Sequence, residues 1–242
     1  MSARVCRPAA LVCAAALLAA CSPGGNAPTP AQLAAQQQAA REAQATQKLA
    51  LYQTMVNTQR YALAVPIGQD IVANFAGTQA AATVQKTLPE IERTASANAE
   101  RARLQALWAY QTGKESGGTQ ITASIYSSRP GGDDRVRLVL RRHSAWGQSA
   151  YLFGSGRGFA CSGHCAIPIG IDGAPPRPWK AYLPVTGEPA IFIEDDPRFI
   201  AALAKAKKLT MQVELKGRGS ETLVFEVGGY DPARFPELPG KR

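Results

Sequence analysis

The chain has 242 residues, 45% of them hydrophobic and 19% charged, with 27 basic against 18 acidic side chains and a net charge of +9. That length and apolar content can bury a real core, which excludes a wholly disordered chain. Five cysteines in 242 residues make no dense disulfide framework, so their individual positions carry the information.

At the start, Arg4 and Arg7 precede a twelve-residue apolar run from Ala9 to Ala20. Twelve helical residues span about 18 Å, too short for a hydrocarbon layer of about 30 Å. Residues 1–20 therefore read as an export signal rather than a membrane anchor. The run ends in Leu18-Ala19-Ala20-Cys21, which resembles the lipobox of bacterial lipoproteins. The resemblance implies cleavage before Cys21, diacylation of its thiol and acylation of the new amine, with membrane lipid as the first partner. Two or more acyl chains anchor a protein stably, whereas one holds it only marginally. Ser22 stands where lipoproteins kept at the inner membrane often carry Asp, so the resemblance implies the outer membrane, facing the periplasm. The competing reading is an ordinary secretory signal with a cysteine at its end.

Residues 21–30, ending SPGGNAPTP, form a flexible tether without apolar periodicity. Thr29 and Pro30 read as the N-cap and first position of a helix. Residues 31–47 hold seven alanines and six glutamines, a segment with high helix propensity and little to bury. It is either an exposed stalk or a plain lead-in helix. Amphipathic spacing follows from Leu49, is interrupted at Pro66 and Gly68, and resumes at 70–75. Thr78 caps a further helix, which Pro89 kinks or restarts, and the spacing continues to Leu107. The stretch Phe75-Ala76-Gly77-Thr78 resembles the bend of a tetratricopeptide-like hairpin, but no second copy occurs at a 34-residue period. Packing among two or three helices is the expectation for 31–107.

From about Trp108 the spacing switches to short alternating runs divided by Gly, Pro, Ser and Asp. Expected strands are 120–126, 135–143, 150–153, 165–171, 180–185, 190–193, 209–215 and 222–227. One helix intervenes, with Asp196 as its cap, Pro197 as its first residue, and Phe199, Leu203 and Ala206 on its inner face. The expected fold is therefore α+β: a helical segment, then a mainly antiparallel β sandwich or barrel at 108–235 with one inserted helix, and a tail at 236–242.

Export assigns the cysteines. Cys6 and Cys13 leave with the signal, Cys21 carries lipid, and Cys161 and Cys165 remain as an even pair in an oxidising space. A disulfide closing so short a loop contributes about 2 kcal/mol in the chain-entropy model. The spacing is not the C-x-x-C of redox pairs. Adding His164 gives three ligands where structural zinc wants four. A nucleophilic role needs a free thiolate, which that space opposes. A staple on a turn is the favoured reading. Phe159-x-Cys161-x3-Cys165, with Ile191-Phe192-Ile193 and Phe199-x3-Leu203-x-Lys205-Ala206-Lys207, resembles a group of uncharacterised exported proteins of Gram-negative bacteria. The likeness spans roughly residues 108 to 231 and implies a fold but no activity.

Groups for chemistry are few. The glycine-rich run 154–158 reads as a hairpin loop rather than a phosphate cradle, because a strand follows it. Glu194-Asp195-Asp196 solvates easily, and His143 has no evident acid or nucleophile companion. No catalytic residue, metal or cofactor is assigned. Charge says more. Losing Arg4 and Arg7 takes the 27 basic residues to 25 against 18 acidic, a mature net charge of +7. Alternation along 135–143 puts Val136, Leu138 and Leu140 on one face and Arg135, Arg137, Arg141 and His143 on the other. That row is a candidate contact for lipid phosphates or another anionic envelope surface. Its alternative is a solvated sheet face. Nucleic acid is not expected outside the cytoplasm. The sequence therefore points to a non-enzymatic envelope lipoprotein presenting a disulfide-braced β domain to a protein or an anionic partner. The alternatives are an inhibitor of a cell-wall lytic enzyme and an enzyme with an unrecognised site.

Overall fold

The computed structural model describes residues 27–154, 156 and 158–238. The signal, Cys21 and the end of the tail lie outside the described residues. No helix among those described is long and apolar enough to cross a membrane.

Three helices come first. α1 spans Pro30–Asn57, α2 Tyr61–Asn74 and α3 Gln79–Ala106. Thr29 caps α1 in a reciprocal box with Gln32, as the Thr-Pro pair anticipates. The α1–α2 break falls earlier than the sequence suggests. It lies at Thr58 to Arg60, with Gln59 at φ 57°, and α2 then runs through Pro66. Pro89 likewise sits inside a continuous α3. Packing on both sides holds these helices across the missing N–H of each proline.

The helical core is small-residue packing. Ala45 and Tyr52 of α1 meet Ala64 and Ile71 of α2, and Ala80, Val84, Leu88 and Ile91 of α3. Gly68 lets the Tyr52 ring and Leu88 approach, since a methyl there would lie 2.9 Å and 2.8 Å from them. Neighbouring side chains on α1 pin the α2–α3 turn by matching its dipole ends. Arg41 donates to the carbonyls of Asn74 and Ala76 at the end of α2, and Glu42 accepts from the Gln79 N–H at the start of α3. Before that clamp, residues 27–40 are all exposed, so the first turns of α1 project without a partner among the described residues.

The rest of the chain forms one antiparallel sheet of nine strands, curled into a half-barrel, in the order β1-β2-β3-β4-β7-β6-β5-β8-β9. The strands are β1 Trp108–Glu115, β2 Gly118–Tyr126, β3 Arg137–His143, β4 Gly147–Phe153, β5 His164–Ile171, β6 Arg177–Tyr182, β7 Ala190–Ile193, β8 Leu209–Leu215 and β9 Gly219–Phe225. A single curled sheet replaces the two-sheet sandwich among the alternatives. The eight expected strands are present, and β1 is added. Only Trp108 of β1 is buried, so it carries no alternation to read.

The run 154–158 does not close a hairpin. It carries the chain past two strand positions, because β4 pairs with β7 while β5 pairs with β6 and β8. On the way the Ala160 N–H donates to Glu214 of β8 and the Gly158 carbonyl accepts from Lys216 just beyond it; Ser155 and Arg157 lie outside the described residues. α4, Asp196–Leu203, returns from β7 to β8 and packs Phe199, Ile200 and Leu203 into the sheet's core with Trp179, Leu138, Leu152 and Met211. Its cap is Asp195, whose carboxylate accepts from the Arg198 N–H, rather than Asp196. Asp196 sits in the first turn, where burial raises its pKa.

The sheet's ends converge. Ser128 and Arg129, beyond β2, bond to Val224 of β9, and the Trp108 indole N–H donates to the Val227 carbonyl. α3 docks on the same corner. Its Arg103 reaches Glu226 at 2.7 Å, and Gly229 lies directly against the Leu104 backbone.

Two stability predictions follow from this packing. A methyl added at Gly229 would stand 2.2 Å from the Leu104 carbonyl carbon and oxygen, so Gly229→Ala is expected to cost about 1–3 kcal/mol. Gly113→Ala, in open space, should leave the unfolding free energy, read by urea denaturation, within about 0.5 kcal/mol of the parent. In the helices, hydrogen bonds from Lys48 and then Asn74 hold the Asp70 carboxyl below its ordinary value of 3.8. A depressed acid stabilises above its unfolded pKa and loses that contribution as pH falls through the folded value. Asp70→Asn should therefore lower the melting temperature at pH 7, with the difference from the parent vanishing in strong acid.

Candidate functional site

The β3–β4 register builds the candidate site. Arg137 lies opposite Phe153, Val139 opposite Tyr151 and Arg141 opposite Ser149. All six face away from the core, because Leu138, Leu140, Ala150 and Leu152 occupy the inward positions. β4 then pairs Tyr151 with Phe192 of β7, and β7 pairs Phe192 with Tyr182 of β6. The outward face therefore carries a continuous ladder of rings. Tyr151 and Phe192 stack with centroids 4.7 Å apart, and Phe192 and Tyr182 at 5.5 Å.

The arginines lie on this ladder and its flanks. Arg141 stands 5.5 Å from Tyr151, 6.0 Å from Phe192 and 5.4 Å from Trp146, with its Nε donating to Ser149. Arg137 lies 5.5 Å over Phe153, and Arg135 4.9 Å over Tyr126. Among the described residues, none of the three has a carboxylate within 4.0 Å. Val139 is buried beneath them, on the outward side. Burial raises the Tyr151 phenol pKa, while Arg141 and Arg137 pull it down. Tyr126, Trp146 and Tyr182 remain 50%, 51% and 38% exposed, so rings and cations reach the surface together.

The strand begins at Arg137 rather than at 135. Arg137 and Arg141 therefore lie on the outward face of β3, and Arg135 stands two residues before the strand, beside Arg137. His143 is not presented with them. It is 2% exposed. Its Nδ1 accepts the Ala145 and Trp146 N–H groups, and its Nε2 lies 2.8 Å from the Glu115 carbonyl. Accepting two donors at Nδ1 leaves the proton on Nε2, which donates to that carbonyl. The Trp146 ring stacks over it at 3.8 Å. His143 therefore locks the β3–β4 turn against the β1–β2 hairpin.

The aromatic ladder is what sequence reasoning missed. Its signal was present: strands at 150–153 and 190–193 put Tyr151 and Phe192 on the outward side, where polar residues are the rule. Only the pairing of β4 with β7, distant in sequence, shows that they meet.

Cys161 and Cys165 form a disulfide with a Cα–Cα distance of 5.8 Å. It bridges the end of the crossover to β5, and both cysteines pack against the main core. His164 between them is mostly exposed and pairs with Glu194 at 2.6 Å. Cys21 lies outside the described residues. No cluster of three or more His, Cys, Asp and Glu side chains suited to a metal occurs among the described residues.

No family model matches the chain, and no curated protein matches it. The crystal structure of invasion associated protein B from Bartonella henselae aligns with 52% of this chain and 87% of that one, at 18% identity and a TM-score of 0.38. Similarity at that level carries no inference about this chain.

His143→Ala should leave two N–H groups and one carbonyl without partners, at a cost of about 1–3 kcal/mol. Urea denaturation followed by tryptophan fluorescence would check this, and an unchanged midpoint would rule out the locking role.

Proposed function

We propose that the protein is an envelope lipoprotein with a binding rather than a catalytic role. In this reading acylated Cys21 anchors it at the outer membrane, the exposed half of α1 acts as spacer, and the disulfide-braced β unit meets an anionic partner in the periplasm. The observation that carries the reading is the outward side of β3 and of the chain leading into it, where three arginines lie over aromatic rings without carboxylate partners among the described residues. A guanidinium held against a ring keeps its donors free while losing fewer rotamers on binding than a solvated lysine would. Cations so placed attract an acidic partner and fix its register.

The groups best suited to chemistry have structural partners. His143 uses both ring nitrogens, Cys161 and Cys165 are joined, and Asp195 caps α4. That supports binding over catalysis. The lipobox residues Leu18 to Cys21 support the anchor, since two or more acyl chains hold a protein stably at a bilayer.

In a Gram-negative host, Cys21→Ser is expected to move the protein from the membrane to the soluble periplasmic fraction and to remove the acyl mass from its N-terminal peptide. A parent chain without acyl mass at Cys21, or a variant still held in the membrane, would refute the anchor.

A further inference from the structure

At the start of β3 the arginine face deepens into a cavity of about 430 Å³, with Tyr126, Asp133, Arg135, Arg137 and Phe153 among its walls. We propose that this cavity binds a phosphomonoester, with Arg135 and Arg137 gripping the phosphoryl oxygens. The proposal rests on the binding role above and names the chemistry that the role would serve.

Both arginines are set before any ligand arrives. Tyr126 backs one guanidinium at 4.9 Å and Phe153 the other at 5.5 Å, and the Arg135 Nε donates to the Gly132 carbonyl at 3.0 Å. Their positions follow from chain geometry, because residues two apart along extended chain project to the same side. The acid nearest in sequence is occupied elsewhere. Asp134 pairs with Arg218 of the β8–β9 turn, which leaves Arg135 and Arg137 without a counter-charge in contact among the described residues.

Oxygen count selects the ligand. One guanidinium fork already matches the two oxygens of a carboxylate, so two forks in one hollow ask for more acceptors. A phosphomonoester brings three free oxygens and a charge of about −1.5 to −2 at neutral pH. Asp133 on the wall suits the remainder of such a ligand, since its carboxylate can accept from a phosphoryl proton or from a hydroxyl on the esterified group. The same chemistry occurs on soluble phosphate esters and on lipid headgroups.

The test uses the full chain carrying Cys21→Ser, so that no acyl group contributes. Titration calorimetry with inorganic phosphate should give binding, with acetate weaker by about tenfold or more, the value of one charged hydrogen bond. Arg135→Gln and Arg137→Gln should each weaken phosphate by about tenfold. Replacing exposed Arg177 and Lys180 of β6 with Gln should change it by less than about twofold. In a second arm, phosphatidylcholine vesicles with a minor fraction of phosphatidic acid are compared with pure phosphatidylcholine. Co-flotation dependent on phosphatidic acid and on Arg137 places the phosphoryl group on a lipid, and phosphate binding without flotation places it on a soluble ester. Acetate matching phosphate, no binding in either arm, or phosphate binding kept by both Arg135→Gln and Arg137→Gln would overturn the proposal. Should the variants not fold, the contrast between phosphate and acetate on the unsubstituted site still decides. Loss of this site would leave the Cys21 anchor intact, and loss of the anchor would leave the site.

Discussion

The register between β3 and β4 is the constraint on which most else depends. Because side chains alternate at a period of two, Leu138 and Leu140 can reach the core only if Arg137 and Arg141 point outward. The same register sets Phe153 and Tyr151 beside those arginines and aligns β4 with β7, which brings in Phe192. A slip of one residue in β3 would bury two guanidinium groups and expose Leu138 and Leu140. Desolvating the charges alone would cost several kcal/mol each. The core and the candidate site are thus two sides of one pairing, and His143 holds its end by fastening the β3–β4 turn to the β1–β2 hairpin.

A second constraint joins the helices to the sheet. α3 leaves the helical core after Ile91, and residues 96–103 are exposed on every side, as befits a polar bridging helix. Its end is fixed where Leu104 lies against Gly229 and Arg103 against Glu226. At the other end, Arg41 and Glu42 fasten α1 to the α2–α3 turn and leave the first turns of α1 free.

Much of the fold was legible because its signals are local. Strand alternation at 190–193 and 209–215, the Thr29-Pro30 start of α1 and the Asp-Pro start of α4 are each set by a few neighbouring residues. The failures have physical causes too. Pro66 and Pro89 usually end helices, but packing by Ala64, Ile71, Leu88 and Ile91 outweighs one lost hydrogen bond. β1 is exposed along most of its length, so its partner β2, rather than burial, defines it. The glycine run at 154–158 looked like a hairpin because turn chemistry does not record which strand comes next to which.

By itself, the sequence determined the order of helices and strands, the closely spaced pair Cys161 and Cys165, and the outward row of arginines. Period and composition carry these, and both are properties of adjacent residues. Tertiary structure alone decided that β7 lies between β4 and β6, that Tyr151, Phe192 and Tyr182 stack into one ladder, and that His143 is locked inside while Arg135 and Arg137 share a hollow. Each of those facts joins residues that are remote along the chain, and only the closing of the sheet brings them into contact.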